Sequence, residues 1–298
     1  MTGAEAGFLL LTSRLGDPDR KVLTPAQLRI LSSRVQTATK ADEGRQLNVE
    51  DLVKLGYGRE MAERILLLLS EEERLHHYCR KAEKLGCVVL TRVTGNYPQR
   101  LWRKLGEETP GCIWCRGDMS LLTQPKVALV GSRDILGQNR DFAAEVGRQA
   151  ALQGYVLVSG NARGADQIAQ SACLRAGGKV ISVVADCLAE KQIADNILYL
   201  SEDEFDSSFT AQRAISRNRL IHCLAELTFV AQCGYKEGGT WNGTAKNLRH
   251  GWSDVFCYAD GSPIMELLQQ LGAEIIETAQ LYDFEQLPRK NAGFLDDF

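Results

Sequence analysis

After Pro125 the chain alternates between short apolar runs and longer amphipathic stretches. The runs KVALVGS, YVLVSG, KVISVVA, ELTFVAQ and SDVFCYA are nearly continuous in apolar residues, and GQNRDFAAEVGRQAALQG between the first two carries apolar residues at helical spacing. Continuous apolar runs are typical of strands covered on both faces, and strands that alternate with helices of about 10–15 residues form right-handed βαβ units. The pattern predicts an α/β fold with a doubly wound, mostly parallel sheet.

Other stretches predict further elements. Upstream, CVVLTRV and CIWC indicate strands, with a short helix at LWRKL between them. Downstream, FTAQRAISRNRLIHCLA and TWNGTAKNLRHG are each predicted to form one helix, and the segment between Ala185 and Ser208 is predicted to be irregular.

The first 85 or so residues are predicted to be helical. Between two short helices, Gly56-Tyr57-Gly58 forms a tight turn. It resembles the helix-hairpin-helix pattern, which offers backbone N–H groups to a phosphate, and a plain packing turn is the alternative. We expect a small N-terminal helical domain at 1–85 (SAM-like or helix-hairpin-helix-like), a sheet domain at 86–280 and a C-terminal tail at 281–298.

Composition limits the class of protein. The 298 residues are 44% hydrophobic and 24% charged, with a net charge of −3, which is ordinary for a globular chain with its own core. Nucleic-acid binding would therefore need a local basic groove rather than overall charge. Because no export signal is evident and the nine cysteines have no framework spacing, we expect a cytoplasmic protein with reduced thiols and no membrane segment.

Glycine-containing turns follow the first two strands after Pro125. Ligands of parallel α/β sheets bind beyond the carboxyl ends of strands, and helix N-termini there suit anions. Asp166 lies in the first turn of the second helix, where it either belongs to the site or only complements the helix dipole. The candidate residues of these two turns are Gly131, Ser132, Arg133, Ser159, Gly160, Arg163, Gly164 and Asp166.

Two later clusters could also bind anions. Arg213, Arg217 and Arg219 lie within seven residues on a predicted helix, either as a focused positive patch or as a solvated face with exposed ion pairs. The turn GGTWNGTA at 238–245 supplies small residues before another helix. The candidates here are Arg217, Asn218, Arg219, Gly239, Thr240 and Thr244.

These motifs together resemble the DNA-processing protein A (DprA/Smf) family. VALVGSR, SGNARGAD, SRNRLI and GGTWNGTA occur in the family's order and spacing, and the lead-in LGCVVLTRVTGNYPQRLWRKL is similar as well, so that the resemblance covers roughly Lys81 to Glu277. It implies an extended Rossmann-like domain after a small helical domain, single-stranded DNA binding without sequence preference, a homodimer, and loading of the RecA recombinase. It also implies DNA contacts by Ser132, Arg133, Ser159, Arg163, Arg217 and Arg219, with Asn218 and Gly239-Thr240 shaping the pocket.

The chain departs from the family pattern in several places. Gln170 stands where a His is frequent and Gln232 where a Glu is frequent, and the fourth turn has Trp241 and an extra Gly243. We expect no winged-helix domain, which many members carry, after about Ile276. We therefore expect a divergent member of the family, for which the resemblance predicts the fold better than it predicts a RecA contact.

A nucleotide-binding sensor or a nucleoside-phosphate glycosidic-bond hydrolase is the alternative function. The same turns could hold a mononucleotide phosphate, and Asp166 and Glu237 are the carboxylates near enough to act on a sugar. Binding is favoured over catalysis because Gln170 and Gln232 offer neither charge nor a proton, and there is no P-loop motif. Neither a cofactor nor a metal is expected, since Cys112 and Cys115 would point to opposite faces of a strand.

Overall fold

The computed structural model describes residues 1–37 and 46–290. In these ranges nine strands form one sheet, in the order β1-β2-β6-β5-β4-β3-β7-β8-β9 along it. The strands are β1 (Val88–Thr91), β2 (Cys112–Gly117), β3 (Lys126–Val130), β4 (Val156–Ser159), β5 (Lys179–Val183), β6 (Ile197–Ser201), β7 (Leu227–Val230), β8 (Asp254–Tyr258) and β9 (Glu274–Ile276).

The α-helices of the described ranges lie before and between these strands. They are α1 (Gly3–Thr12), α2 (Pro25–Thr37), α3 (Val49–Lys54), α4 (Arg59–Ser70), α5 (Glu72–Lys84), α6 (Gln99–Leu105), α7 (Gly137–Leu152), α8 (Ala165–Arg175), α9 (Ala211–Ser216), α10 (Asn218–Leu224), α11 (Gly238–His250) and α12 (Pro263–Gln270). None of the helices within these ranges is both long and apolar enough to cross a membrane.

The strand pairings confirm the predicted doubly wound, mostly parallel sheet. All neighbours from β6 to β9 pair in parallel, whereas β2 is antiparallel to both β1 and β6. The chain moves from β3 outward through β4, β5 and β6, then returns to pair β7 with the free side of β3. The order therefore reverses between β3 and β7, and loops leave their carboxyl ends in opposite directions.

Alternate residues of the strands belong to two hydrophobic cores, one on each face of the sheet. Ala128 and Val130 pack with α10 and α12 on one face, whereas Val127 and Leu129 pack with α7 and α8 on the other. Both faces are thus covered, which explains why the strands are almost wholly apolar. Cys112 and Cys115 do face opposite sides of β2: Cys115 belongs to the first core, and Cys112 packs beside the N-terminal helices.

Helices α1 to α5 lie within the N-terminal region that was predicted to be helical. Leu9, Leu75 and Tyr78 pack against Trp114 of β2 and against Phe205, so these helices share a core with the sheet. Tyr78, Trp114 and Phe205 form a ring cluster with centroids 4.6 to 5.7 Å apart. Gly56 has φ +88° at the predicted turn between α3 and α4, where the guanidinium of Arg34 lies 4.3 Å from the Tyr57 ring.

Two predictions about the elements were wrong. The segment between Ala185 and Ser208 is not irregular, because it contains β6, which lies inside the sheet between β5 and β2. The helix predicted over FTAQRAISRNRLIHCLA is two helices, α9 and α10, which meet at Arg217. Of the predicted tail, Leu281, Phe284 and Leu287 are buried against the sheet, and residues 291–298 lie outside the described ranges.

Candidate functional site

A cleft opens where the strand order reverses, at the carboxyl ends of β3 and β7. Its volume is about 570 Å³, and its position is the one at which ligands of open α/β sheets bind. We call it the switch-point cleft. It is lined by Val130, Gly131, Ser132, Arg133, Ala162, Asp166, Ala211, Ala214, Ile215, Arg217, Asn218, Ile221, His222, Gly234, Glu237, Gly238, Gly239 and Thr240.

The loop after β3 forms one wall. A Cβ on Gly131 would lie 2.5 Å from the Cβ of Ala165, so this glycine is required because α8 packs directly against the loop. The carbonyl of Ser132 accepts from the N–H of Ala165 at 3.1 Å, and the Ser132 hydroxyl accepts from the N–H of Asp134 at 3.2 Å. Arg133 is exposed at the mouth, where its guanidinium is available to an anion.

Asp166 organises the loop after β4 from a buried position in the first turn of α8. Its Oδ2 accepts from the N–H of Gly160 at 3.0 Å and from that of Ala162 at 3.2 Å. Burial raises the pKa of this carboxyl, while the charge of Arg217 and the two backbone donors oppose that rise. Asp166 therefore fixes the loop and balances the charge of Arg217.

Arg217 occupies the floor of the cleft at the junction of α9 and α10. Its side chain is buried, and its Nη1 donates to the carbonyl of Val183 at 2.7 Å. Burial lowers the pKa of the guanidinium and Asp166 raises it, but an arginine so placed stays charged. Its buried Nε has no hydrogen-bond partner within the described residues, which is uncommon for a buried donor, and Arg217 lines the cleft.

The start of α11 forms the opposite wall. Gly239 and Thr240 lie in its first turn and line the cleft. Thr240 Oγ1 donates to the carbonyl of Gly131 at 3.0 Å, and Asn218 Nδ2 donates to the carbonyl of Gly239 at 3.1 Å. The first bond joins the two walls, and the second holds the start of α11 against α10, so that the positive end of the α11 dipole lies at the cleft.

Comparison with known proteins places this chain in a family. The family model for DNA recombination-mediator protein A matches residues 88–280. The chain belongs to that family. It is 30% identical over 221 residues to the DNA processing protein DprA of Bacillus subtilis, covering 68% of this chain and 72% of that protein. It is 25% identical to the Smf protein of Synechocystis, covering 93% of this chain and 71% of that one.

Solved structures agree with this family and with the predicted Rossmann-like fold. DprA from Streptococcus pneumoniae matches with a TM-score of 0.71 at 24% identity, over 94% of this chain and 96% of that one. DprA from Helicobacter pylori, studied for its single-stranded DNA binding mode, matches with a TM-score of 0.55 at 25% identity, over 64% of this chain and 90% of that one. The expected resemblance to the DprA/Smf family is confirmed.

The structure places some predicted site residues of this DprA family member outside the cleft. Ser159 is buried, and its hydroxyl accepts from Gln170 Nε2 at 2.6 Å. Gly160 lies beneath the Arg217 guanidinium. Thr244 is completely buried, behind the start of α11. These three residues support the walls from behind.

Two predicted arginines also lie elsewhere. Arg163 and Gly164 line a second groove beside α8, where Arg163 Nη2 lies 2.6 Å from Asp134 Oδ1. Arg219 lines a different cavity, of about 780 Å³, next to the N-terminal helices. Its Nη2 lies 2.6 Å from Oε2 of Glu202, whose side chain is only 7% exposed. Arg213, Arg217 and Arg219 thus do not form one surface patch.

The acidic segment 202–206 connects the N-terminal helices to the rest of the molecule. Glu204 accepts from the backbone N–H of Leu15 at 2.7 Å and of Gly16 at 2.9 Å. Asp206 accepts from the Tyr78 hydroxyl and from Lys81 Nζ, both at 2.7 Å. Because the partners are 125 or more positions away in the chain, no local pattern could reveal this role.

Sequence reasoning also missed a polar network beneath the cleft. His222 is buried, with its Nδ1 3.3 Å from Thr228 Oγ1 and 3.2 Å from Asn247 Nδ2, and Ser253 joins both of those partners. Burial lowers the pKa of His222 to about 3. The ring is therefore neutral near pH 7 and adds no charge to the cleft floor.

Proposed function

We propose that this chain binds single-stranded DNA without sequence preference, with a phosphate held in the switch-point cleft between Arg133 and Arg217. The observation that carries this proposal is the buried Arg217 guanidinium at the cleft floor, whose Nε has no partner in the described part of the chain. A phosphate oxygen is the complement of such a donor. The N-termini of α8 and α11, which both begin at this cleft, add to the attraction for an anion.

Family membership supports the wider role. We propose that the chain acts in the cytoplasm as a homodimer that loads a RecA-type recombinase onto single-stranded DNA. Residues 1–85, 86–280 and 281–298 would be its three parts. The H. pylori relative, which was studied for single-stranded DNA binding, supports the DNA ligand.

Fluorescence anisotropy of a labelled oligo-dT strand over a salt series tests the DNA proposal. We expect salt-dependent binding by the wild type and about fivefold weaker binding by Arg133→Gln. The salt slope of that variant should be shallower by about 0.7, because one phosphate of the strand is no longer neutralised. Arg80→Gln removes an exposed charge from α5 and is the matched control. No binding by the wild type at low salt would refute the proposal.

The mediator role needs a separate experiment. We expect the protein to speed the assembly of RecA filaments on a strand already covered by a single-strand binding protein. Light scattering at two protein concentrations that bracket dimer formation would test the homodimer. A wild type that binds the strand but leaves filament assembly unchanged would restrict the function to DNA binding.

The nucleotide hydrolase alternative is supported by Glu237, which carries a carboxylate and lines the same cleft. Asp166 is less suited, since its Oδ2 already accepts two backbone hydrogen bonds. Incubation with nucleoside monophosphates, followed by chromatography for released base, tests the alternative. Turnover that is lost in Glu237→Gln would replace DNA binding as the primary function.

A further inference from the structure

A second groove begins where the switch-point cleft ends. It has a volume of about 690 Å³ and follows one face of α8 opposite the start of α7. We call it the α7–α8 groove. It is lined by Arg133, Asp134, Ile135, Leu136, Arg140, Arg163, Gly164, Gln167, Ile168, Ser171 and Arg175.

Four arginines and one aspartate supply all the charge of this lining. Arg133, Arg140 and Arg175 are exposed, and none has an ion-pair partner among residues 1–37 and 46–290. They come from different elements: the loop after β3, the first turn of α7 and the last turn of α8. In a chain of net charge −3, this convergence produces a local positive field that the overall charge conceals.

The fourth arginine is held only loosely. Arg163 pairs with Asp134 at 2.6 Å, but the two side chains are 73% and 83% exposed. Such a solvent-exposed pair contributes little to stability and exchanges easily with another anion. Asp134 therefore competes with any phosphate for Arg163.

The groove adjoins the cleft. Arg133 lines both. Gly164 has φ +87°, and a Cβ there would lie 2.3 Å from the carbonyl oxygen of Arg133, so the two loops pack backbone against backbone. From Gly164 to Arg175 the face of α8 extends about 16 Å at 1.5 Å per residue, which gives room for several nucleotides.

We propose that a single nucleic-acid strand leaving the switch-point cleft over Arg133 continues along the α7–α8 groove, with its phosphates on Arg140 and Arg175. Asp134 restrains this path by holding Arg163. The inference rests on the proposed DNA binding at the cleft and extends it to a strand-length dependence. A strand too short to reach beyond Arg133 does not use the groove.

The test compares strands of about 6 and about 20 nucleotides, within and beyond the usual span of one binding site. Arg140→Gln with Arg175→Gln is expected to weaken binding of the long strand about tenfold. Its salt slope should become shallower by about 1.4, which is 0.7 for each phosphate contact, while binding of the short strand is unchanged. Asp134→Asn is expected to act in the opposite direction and strengthen binding of the long strand.

Arg80→Gln with Lys84→Gln is the control, because it removes two exposed charges from α5. The inference is overturned if the groove variant binds the long strand as the control does, or if it weakens both strands equally. If in that case Arg133→Gln still weakens both strands, DNA binding at the cleft stands and only the groove is refuted. If the wild type binds neither strand, the proposed function itself fails.

Discussion

The guanidinium of Arg217 lies directly on the backbone of Gly160. A Cβ added at residue 160 would be 1.7 Å from Nη1 and 2.2 Å from Cζ of that arginine. Gly160 does not have a positive φ, so the requirement for glycine comes from this contact and not from the backbone conformation. The glycine of SGNARGAD and the arginine of SRNRLI are therefore one structural unit, although they lie 57 positions apart in the chain.

Gly160→Ala should displace Arg217 from the floor of the cleft. We expect the free energy of unfolding to fall by about 1–3 kcal/mol from overpacking, and oligo-dT affinity to fall about fivefold or more because the buried donor moves. Urea unfolding and anisotropy measure the two effects. Gly95→Ala, where a Cβ would meet nothing within 4 Å, is the control, and equal behaviour of the two variants would show that Arg217 is not held by this contact.

Arg219→Gln separates a structural role from a DNA contact. The substitution leaves the mostly buried Glu202 without its partner, and we expect a loss of about 2–3 kcal/mol in the free energy of unfolding. The salt slope of oligo-dT binding should stay as in the wild type, because Arg219 lies in a different cavity from the cleft. A shallower slope with unchanged stability would instead show a phosphate contact.

Glu204→Ala should loosen the attachment of the N-terminal helices. The substitution removes the acceptor of the Leu15 and Gly16 N–H groups and of the Ser13 hydroxyl, at a cost of about 2–3 kcal/mol. Hydrogen exchange measured by mass spectrometry should then rise in α1 and α5 more than in β3 and β4. Glu190→Ala, at an exposed residue of the same connection, is the control and should leave exchange unchanged.

His222 should make stability depend on pH. Its pKa is about 3 in the folded protein, below the ordinary histidine value of 6.5, so the unfolded chain binds the proton more readily. The stabilisation is complete above pH 6.5 and is lost as pH falls toward 3, at up to about 1.4 kcal/mol per pH unit. Urea unfolding from pH 7 to pH 4 should show a shallower dependence in His222→Gln, whereas the exposed His77→Gln should keep the wild-type slope. Identical slopes in all three would contradict the burial of a neutral ring.

The position of the cleft was predictable from the sequence because it follows from a general rule. Apolar runs alternating with helical segments require a parallel sheet, and turns such as Gly131-Ser132-Arg133 then meet at one edge. The same rule explains why the turn at Gly239 and Thr240 lies beside them. What the residues at these turns do could not be derived so directly, since Gly131 is needed for the packing of α8 and Ser159 is bonded to Gln170.

The wrong predictions concern features decided by distant partners. The helix break at Arg217 has neither proline nor glycine to mark it, and it accompanies the burial of that side chain against the carbonyl of Val183. Strand β6 has five residues, as β3 and β5 do, but an acidic segment follows it directly. Half of its pairing comes from antiparallel β2, whose paired residues are 81 to 87 positions earlier, and no pattern within either segment shows this.

This antiparallel pairing also has a consequence for biosynthesis. Residues 112–117 of β2 can complete their hydrogen bonds only after residues 197–201 of β6 have been made. At about 5–20 residues per second, translation imposes a delay of about 4–17 seconds between the two strands. The packing of the N-terminal helices is delayed as well, because Phe205 and Glu204, which they contact, follow β6 in the chain. The N-terminal helices, although synthesised before the sheet, can thus reach these contacts only after six of its nine strands have been made.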